Sequence, residues 1–247
     1  MLELKNKLIV ALDVDTLDEA SRFVNILYPK VKMFKVGSQL FTACGPAVVE
    51  MIGKRQAKVF LDLKWHDIPN TVFLSSSTGT STGTNLSFQT VSAKESSFGV
   101  GMSFPVFMMT VHTQGGKSML GAAVKGATEK AKELKIKRPF IVGVTTLTSQ
   151  SDEGDIQAQV LDAARLARDA GLDGVVCAVG EAAMIRKEFG KDFIIVTPGI
   201  RPKGYPSDDQ SRVATAEAAI KAGADYIVVG RPILKAKDPL KAIEDLL

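Results

Sequence analysis

Eight short apolar runs punctuate the chain: "LIVAL" (8–12), "MFKVG" (33–37), "KVFLDL" (58–63), "VFMMTVH" (106–112), "FIVGV" (140–144), "GVVCAV" (174–179), "FIIVTPG" (193–199) and "YIVVG" (226–230). Each has the length of a strand and is rich in Val, Ile or Phe, with so few polar positions that both faces are predicted to be buried. Most are followed by a different rhythm. "LDEASRFVNIL", "GGKSMLGAAVKGATEKAKEL" and "QAQVLDAARLARDAG" place apolar residues at i, i+3, i+4 and i+7, which predicts amphipathic helices. Parallel strands covered by helices have this alternation. About eight such units in 247 residues predict an α/β protein, a single (β/α)8 TIM barrel over residues 1–247, rather than an open doubly wound sheet.

The rhythm fails once. Residues 73–105, "FLSSSTGTSTGTNLSFQTVSAKESSFGVGMSFP", are rich in Ser, Thr and Gly, show no helical period, and stand where the helix after the third strand belongs. An irregular loop or a disordered insertion is expected there.

Composition narrows the class further. Hydrophobic residues at 45% and charged residues at 23% supply a sizeable core and argue against general disorder. The net charge of +4 comes from 31 basic residues interspersed with 27 acidic ones, without a block of like charge, so a small anionic ligand fits better than nucleic acid. Cys44 and Cys177 lie far apart without a CxxC pair, and only His66 and His112 could add imidazoles, which argues for a reducing compartment and against zinc. No apolar run reaches the roughly 18 residues of a membrane span, and acidic residues interrupt the N-terminus before a signal-peptide core could form. A cytoplasmic protein is expected.

Polar residues gather just after the predicted strands, at Asp13, Lys35, Asp62, Lys64, Thr148, Pro198 and Arg231, the end where such barrels do chemistry. In "VFLDLKWHDIPNT", Asp62 and Lys64 fall on one side of an extended strand, and in a barrel that side is the interior. A buried Asp and Lys pair is costly unless matched, so this position favours function over scaffolding. Lys35, in "FKVG", would also point inward and need carboxylates, which Asp62 and Asp67 could supply as an alternating Lys, Asp, Lys, Asp array. Asp67 alone reads equally well as a turn residue ahead of Pro69.

"VTPGIR", "DDQSR" and "IVVGR" suggest a phosphate site: Gly230 would let backbone amides approach, and Arg231, Arg201 and Gln210 would add charge and hydrogen bonds. His66 and His112 have no evident nucleophile partner and read as hydrogen-bonded scaffold; Trp65 reads as packing. Asp13 fits either a helix cap or a ribose hydroxyl acceptor.

With those residues in place, the chain resembles the orotidine 5'-phosphate decarboxylase family. The resemblance is carried by "LIVALDVD", "FKVGSQLF", "FLDLKWHDIPNTV", "VHTQGG", "VTTLTS", "GLDGVVC", "VTPGIR", "DDQSRVATAEAAIKAGADYIVVGRPI" and "DPLKAIE", from one end of the chain to the other, with "DLKWHDIPNT" the most specific. It implies Lys64 as proton donor, with Lys35, Asp62 and Asp67 completing the catalytic array. Substrate would be bound by Asp13 and Thr71 at the ribose, Thr148 at the pyrimidine, and Gln210, Arg201, Gly230 and Arg231 at the phosphate, with Ile68 and Pro198 also at the site. It further implies a homodimer without metal or organic cofactor, in which Asp67 reaches the neighbouring subunit's site. Residues 73–105 depart from the family, which has a regular helix there near the dimer interface, so the departure bears on dimerisation and on Asp67, Ile68 and Thr71.

Two other readings stand beside this one. Metal-dependent sugar-phosphate decarboxylases and aldolases of the same barrel group resemble the chain in an Asp-x-Lys-x-x-Asp signature, but they carry a glutamate where this sequence has Lys35, whose charge would repel Mg²⁺. A catalytically silent nucleotide-binding protein would follow if residues 73–105 blocked the dimer.

Overall fold

Alternation of strand and helix closes into a ring in the computed structural model, which describes residues 6–83, 105–146, 156–202 and 214–246. Eight parallel strands pair in sequence order: β1 (Leu8–Ala11), β2 (Met33–Gly37), β3 (Lys58–Trp65), β4 (Val106–His112), β5 (Phe140–Val144), β6 (Gly174–Val176), β7 (Ile194–Thr197) and β8 (Tyr226–Val229). β8 returns to β1 through Leu8 opposite Ile227 and Val10 opposite Val229, so no sheet edge is left open. The barrel expected from the apolar runs is the barrel found, with β3 continuing to Trp65 and β6 ending at Val176.

Helices cover the outside: α1 (Leu17–Leu27) after β1, α2 (Ser38–Cys44) and α3 (Ala47–Gly53) after β2, α4 (Pro69–Ser81) after β3, and α5 (Gly116–Leu134) after β4. α6 (Ile156–Asp169), α7 (Val179–Phe189) and α8 (Ala216–Lys221) follow β5, β6 and β7, and α9 (Arg231–Leu234) and α10 (Pro239–Leu246) close the chain. Local sequence starts α1: Thr16 Oγ1 accepts the amide of Glu19, three residues on, and satisfies a donor the helix itself cannot.

Period-two alternation divides the core. Leu8, Val10 and Leu12 of the first unit join Val59, Leu61, Ile227 and Val229 in the shell between strands and helices. Ile9, Ala11, Met33, Phe60, Met108, Val142, Val196 and Val228 fill the barrel itself. Continuing each inner row by two residues toward the C-terminal mouth passes from Ala11 to Asp13, from Met33 to Lys35, from Phe60 to Asp62 and from Met108 to Thr110. The strands thus hand a packed apolar plug directly to a ring of polar groups.

The loop or disorder expected over residues 73–105 is corrected for its first part. α4 runs through Ser81, and only residues 84–104 of that stretch lie outside the described residues. Its buried face is Val72, Ser76, Gly79 and Thr80, a helical spacing carried by small and hydroxyl residues instead of hydrophobic ones. Neighbouring atoms demand that size: a Cβ on Gly79 would meet Met109 Sδ at 2.7 Å, and one on Gly126 of α5 would meet the Phe73 carbonyl of α4 at 2.2 Å. The hydroxyls cost little because Ser76 donates to the Phe73 carbonyl at 3.0 Å and Thr80 to the Ser76 carbonyl at 2.7 Å.

At the opposite, N-terminal end, two aspartates knit neighbouring strands together. Asp173, just before β6, accepts from the Ile141 amide at 2.7 Å and pairs with Arg138 at 2.7 Å. Asp225, just before β8, accepts from the Ile195 amide at 2.8 Å and pairs with Arg186 at 2.6 Å.

Candidate active site

A cavity of about 220 Å³ opens at the C-terminal mouth, floored by Ala11, Phe60, Val144, Val176 and Val228. Asp13, Lys35, Asp62 and Lys64 form one wall, and Pro198, Arg201, Gly230 and Arg231 another. These eight residues, expected at the site from the sequence, are brought together by strands far apart in the chain.

The charged wall is a chain of ion pairs. Lys35 Nζ lies 3.0 Å from Asp13 Oδ1 and 3.5 Å from Asp62 Oδ2, and Lys64 Nζ lies 2.8 Å from the same Asp62 oxygen. Exposure falls toward the centre: the side chains of Asp13 and Lys64 are 45% and 35% exposed, those of Lys35 and Asp62 only 13% and 10%. Burial by itself would push the Asp62 carboxyl up, but Lys35, Lys64 and hydrogen bonds from Lys64 and Thr110 outweigh it and hold the group below the usual carboxylate range. Burial likewise opposes charge on Lys35, and Asp62 and Asp13 overcome it, raising the amine above its ordinary value. Both central groups therefore stay ionised across neutral pH.

Backbone geometry makes room for this wall. A Cβ on Gly37, two residues beyond Lys35, would stand 2.9 Å from Lys35 Nζ, and one on Gly230 would stand 3.2 Å from Asp13 Oδ2. Lys64 adopts φ +52°, a left-handed conformation uncommon for a residue other than glycine. Strain of this kind persists only where surrounding contacts enforce it.

Within one chain, the array has a member the sequence reading did not place there. Within the chain, Lys35 takes its carboxylates from Asp13 and Asp62, whereas Asp67 is exposed and accepts its neighbour Ile68's amide at 2.6 Å. Asp67, Ile68 and Thr71 do not line the cavity. Thr148 and Gln210 lie outside the described residues. Ile200 and Ala214, described on either side of residues 203–213, pair in a parallel bridge.

Sequence reasoning missed two threonines. Thr146, which lines the cavity, continues the inner row of β5 by two residues from Val144. Thr110 is fully buried below the array and donates to Asp62 Oδ1 at 3.0 Å; its signal was a lone hydroxyl in "VFMMTVH". The His66 and His112 rings lie 5.9 Å apart, and His112 Nδ1 has no hydrogen-bond partner among the described residues. Burial, together with His66 and Lys64, lowers the His112 pKa. Trp65 packs on the outer core, as expected.

A charged wall facing an arginine-lined one, at the catalytic end of a (β/α)8 barrel, defines a barrel enzyme. Residues 6–246 match the model of the orotidine 5'-phosphate decarboxylase / HUMPS family, and the chain belongs to that family. It is 42% identical to the orotidine 5'-phosphate decarboxylase of Moorella thermoacetica, over 96% of this chain and 89% of that one. The corresponding protein of Trichlorobacter lovleyi is 41% identical over 98% and 94%. Among solved structures, orotidine 5'-phosphate decarboxylase from Lactobacillus acidophilus superposes with a TM-score of 0.78 at 32% identity, covering 98% of this chain and 97% of that one.

Proposed function

We propose that the chain converts orotidine 5'-phosphate to UMP and CO₂, the decarboxylation of pyrimidine nucleotide synthesis, with Lys64 as the proton donor. The observation that carries this reading is the position of Lys64 Nζ, 2.8 Å from Asp62 inside the cavity with Lys35 behind it. Breaking the bond between C6 and the carboxylate releases neutral CO₂ and leaves an electron pair on C6. No adjacent carbonyl delocalises that pair well. A fixed ammonium beside C6 stabilises it as it forms, then gives C6 its proton and is reprotonated from solvent. Asp62 faces the departing carboxylate; two such charges about 4 Å apart repel by roughly 4 kcal/mol at an effective dielectric of 20, and the repulsion vanishes as CO₂ leaves.

The remaining roles follow the walls of the cavity. Asp13, anchored by Lys35, accepts a ribose hydroxyl, and Gly230, Arg231, Arg201 and Gln210 take the phosphate. Thr148 and Pro198 contact the pyrimidine side. Binding energy from the distant phosphate holds the ring against Lys64. With the ammonium of Lys64 supplying both the stabilising charge and the proton, the decarboxylation calls for no metal or organic cofactor.

The working unit is a homodimer in which Asp67, with Ile68 and Thr71, completes the neighbouring subunit's site. Support comes from exposure: Asp67 stands outside its own cavity, and Ile68 and Leu74, 65% and 54% exposed, are the two most exposed large hydrophobic residues among those described. Thiols in place of a disulfide at Cys44 and Cys177 suit a cytoplasmic enzyme, and among the described residues no helix is long and apolar enough to cross a membrane. Loss of orotidine 5'-phosphate absorbance with purified protein, unaffected by EDTA, is the expected result. No turnover, or turnover abolished by chelator, would overturn the assignment. Mixing inactive Lys64→Ala and Asp67→Ala proteins is expected to restore activity through hybrid dimers, and no recovery would refute the shared site.

A further inference from the structure

The β3–β4 ladder is irregular at the level of the array. Between the pairs Leu61–Met109 and Trp65–Val111, residues 62, 63 and 64 of β3 stand opposite Thr110 alone. One strand has more amides than the other has carbonyls to meet them, and the extra length appears as the left-handed backbone of Lys64, at φ +52°. The Lys64 amide finds its partner in a side chain: it donates to Thr110 Oγ1 at 2.8 Å. The same hydroxyl donates its own proton to Asp62 Oδ1 at 3.0 Å. A hydroxyl has one proton to give and lone pairs to receive with, so both bonds are made at once. Asp62 is thereby divided, with Oδ1 on Thr110 and Oδ2 on the two lysines, at 2.8 and 3.5 Å.

We propose that Thr110 is a positioning residue for the reaction: its hydroxyl locks the bulged backbone that aims Lys64 into the cavity and turns Asp62 so that one oxygen serves both lysines. Thr110 does not line the cavity, so a substrate held there would not touch it. Its effect passes through Lys64 and Asp62. Burial with no exposed surface leaves no water to replace the hydroxyl, so the isosteric Thr110→Val removes both bonds while keeping the packing.

The kinetic part of this inference rests on the decarboxylase reading. In Thr110→Val, kcat for orotidine 5'-phosphate is expected to fall roughly ten- to a hundredfold, with UMP affinity close to wild type, because the phosphate wall is untouched. Thr110→Ser, which keeps the hydroxyl, is expected to restore most of the loss. A Val variant with wild-type kcat, or Val and Ser variants equally impaired, overturns the proposal. Should Val fail to fold, Thr110→Cys, which puts a far weaker donor and acceptor where the hydroxyl was, stands in its place, with Thr110→Ser as its control of equal branching. If wild-type protein itself does not turn over, the decarboxylase reading fails separately. The crystal structure of the variant then decides: Lys64 relaxed to an extended backbone supports the lock, and Lys64 unchanged against Asp62 refutes it.

Discussion

Both ends of this barrel are built from aspartates and basic side chains, and the two ends use them in opposite ways. At the N-terminal end, Arg186 is surrounded by acceptors: Asp225 at 2.6 Å, the Gly223 carbonyl at 2.8 Å and the Phe193 carbonyl at 2.9 Å. Asp225 in turn receives the Ile195 amide, so every charge is tied to a backbone that must be there for the strands to pair. At the C-terminal mouth, charges are tied mainly to one another, around a cavity, on a backbone bent into a left-handed turn. Ion pairs saturated by backbone groups hold a fold together, whereas pairs that face an opening are held by the fold and keep their capacity for a ligand.

Substitutions should therefore separate activity from stability. The largest effect is expected for Lys64→Ala: kcat falls by about 10³ or more and UMP still binds, while urea denaturation shows only a small loss of stability, because Lys35 and Thr110 still hold Asp62. Retained turnover would remove Lys64 from the chemistry. Across the cavity, Arg231→Ala is expected to lower the ratio of UMP to uridine affinity about ten- to a hundredfold, measured by calorimetry. An unchanged ratio would place the phosphate elsewhere. At the other end, Asp225→Ala should do the reverse, costing about 1–3 kcal/mol in urea denaturation once its partial exposure is allowed for, with kcat per folded molecule preserved. A drop in kcat without a drop in stability would erase the distinction drawn between the ends.

Smaller effects sharpen it. Gly37→Ala puts a methyl group 2.9 Å from Lys35 Nζ, and a flexible lysine end can yield, so kcat is expected to fall about tenfold while the midpoint of unfolding moves little. Smallest is a pH effect on stability. Asp62 is held below the usual carboxylate range, so its contribution is complete above about pH 4 and is lost as pH falls through its depressed value; that of Lys35, shifted upward, is lost only as pH rises beyond about 10.4. Asp62→Asn should thus flatten the fall of stability below about pH 4. An acid limb parallel to wild type would assign the acid sensitivity to other carboxylates.

Most of the barrel was legible because burial on both faces imposes the same apolar run on every central strand, whatever its partners. The wall residues were legible for a related reason: Asp13, Lys35 and Asp62 continue inner rows that are otherwise hydrophobic, and a charge there has no cheap structural explanation. α4 was not legible. Its buried face is set by how near α5 and Met109 approach, and a helix packed that closely through Ser, Gly and Thr carries no hydrophobic period to read.

By itself the sequence determined the alternation of strand and helix, the end of the barrel where polar groups collect, and which side chains collect there. All of these depend on local periodicity and on the cost of burying charge. Only the tertiary structure decided that, within the chain, Asp13 shares Lys35 with Asp62, and that three residues of β3 face one of β4. Those outcomes are distances between strands that are remote in sequence, fixed by closure of the barrel, and no local pattern encodes them.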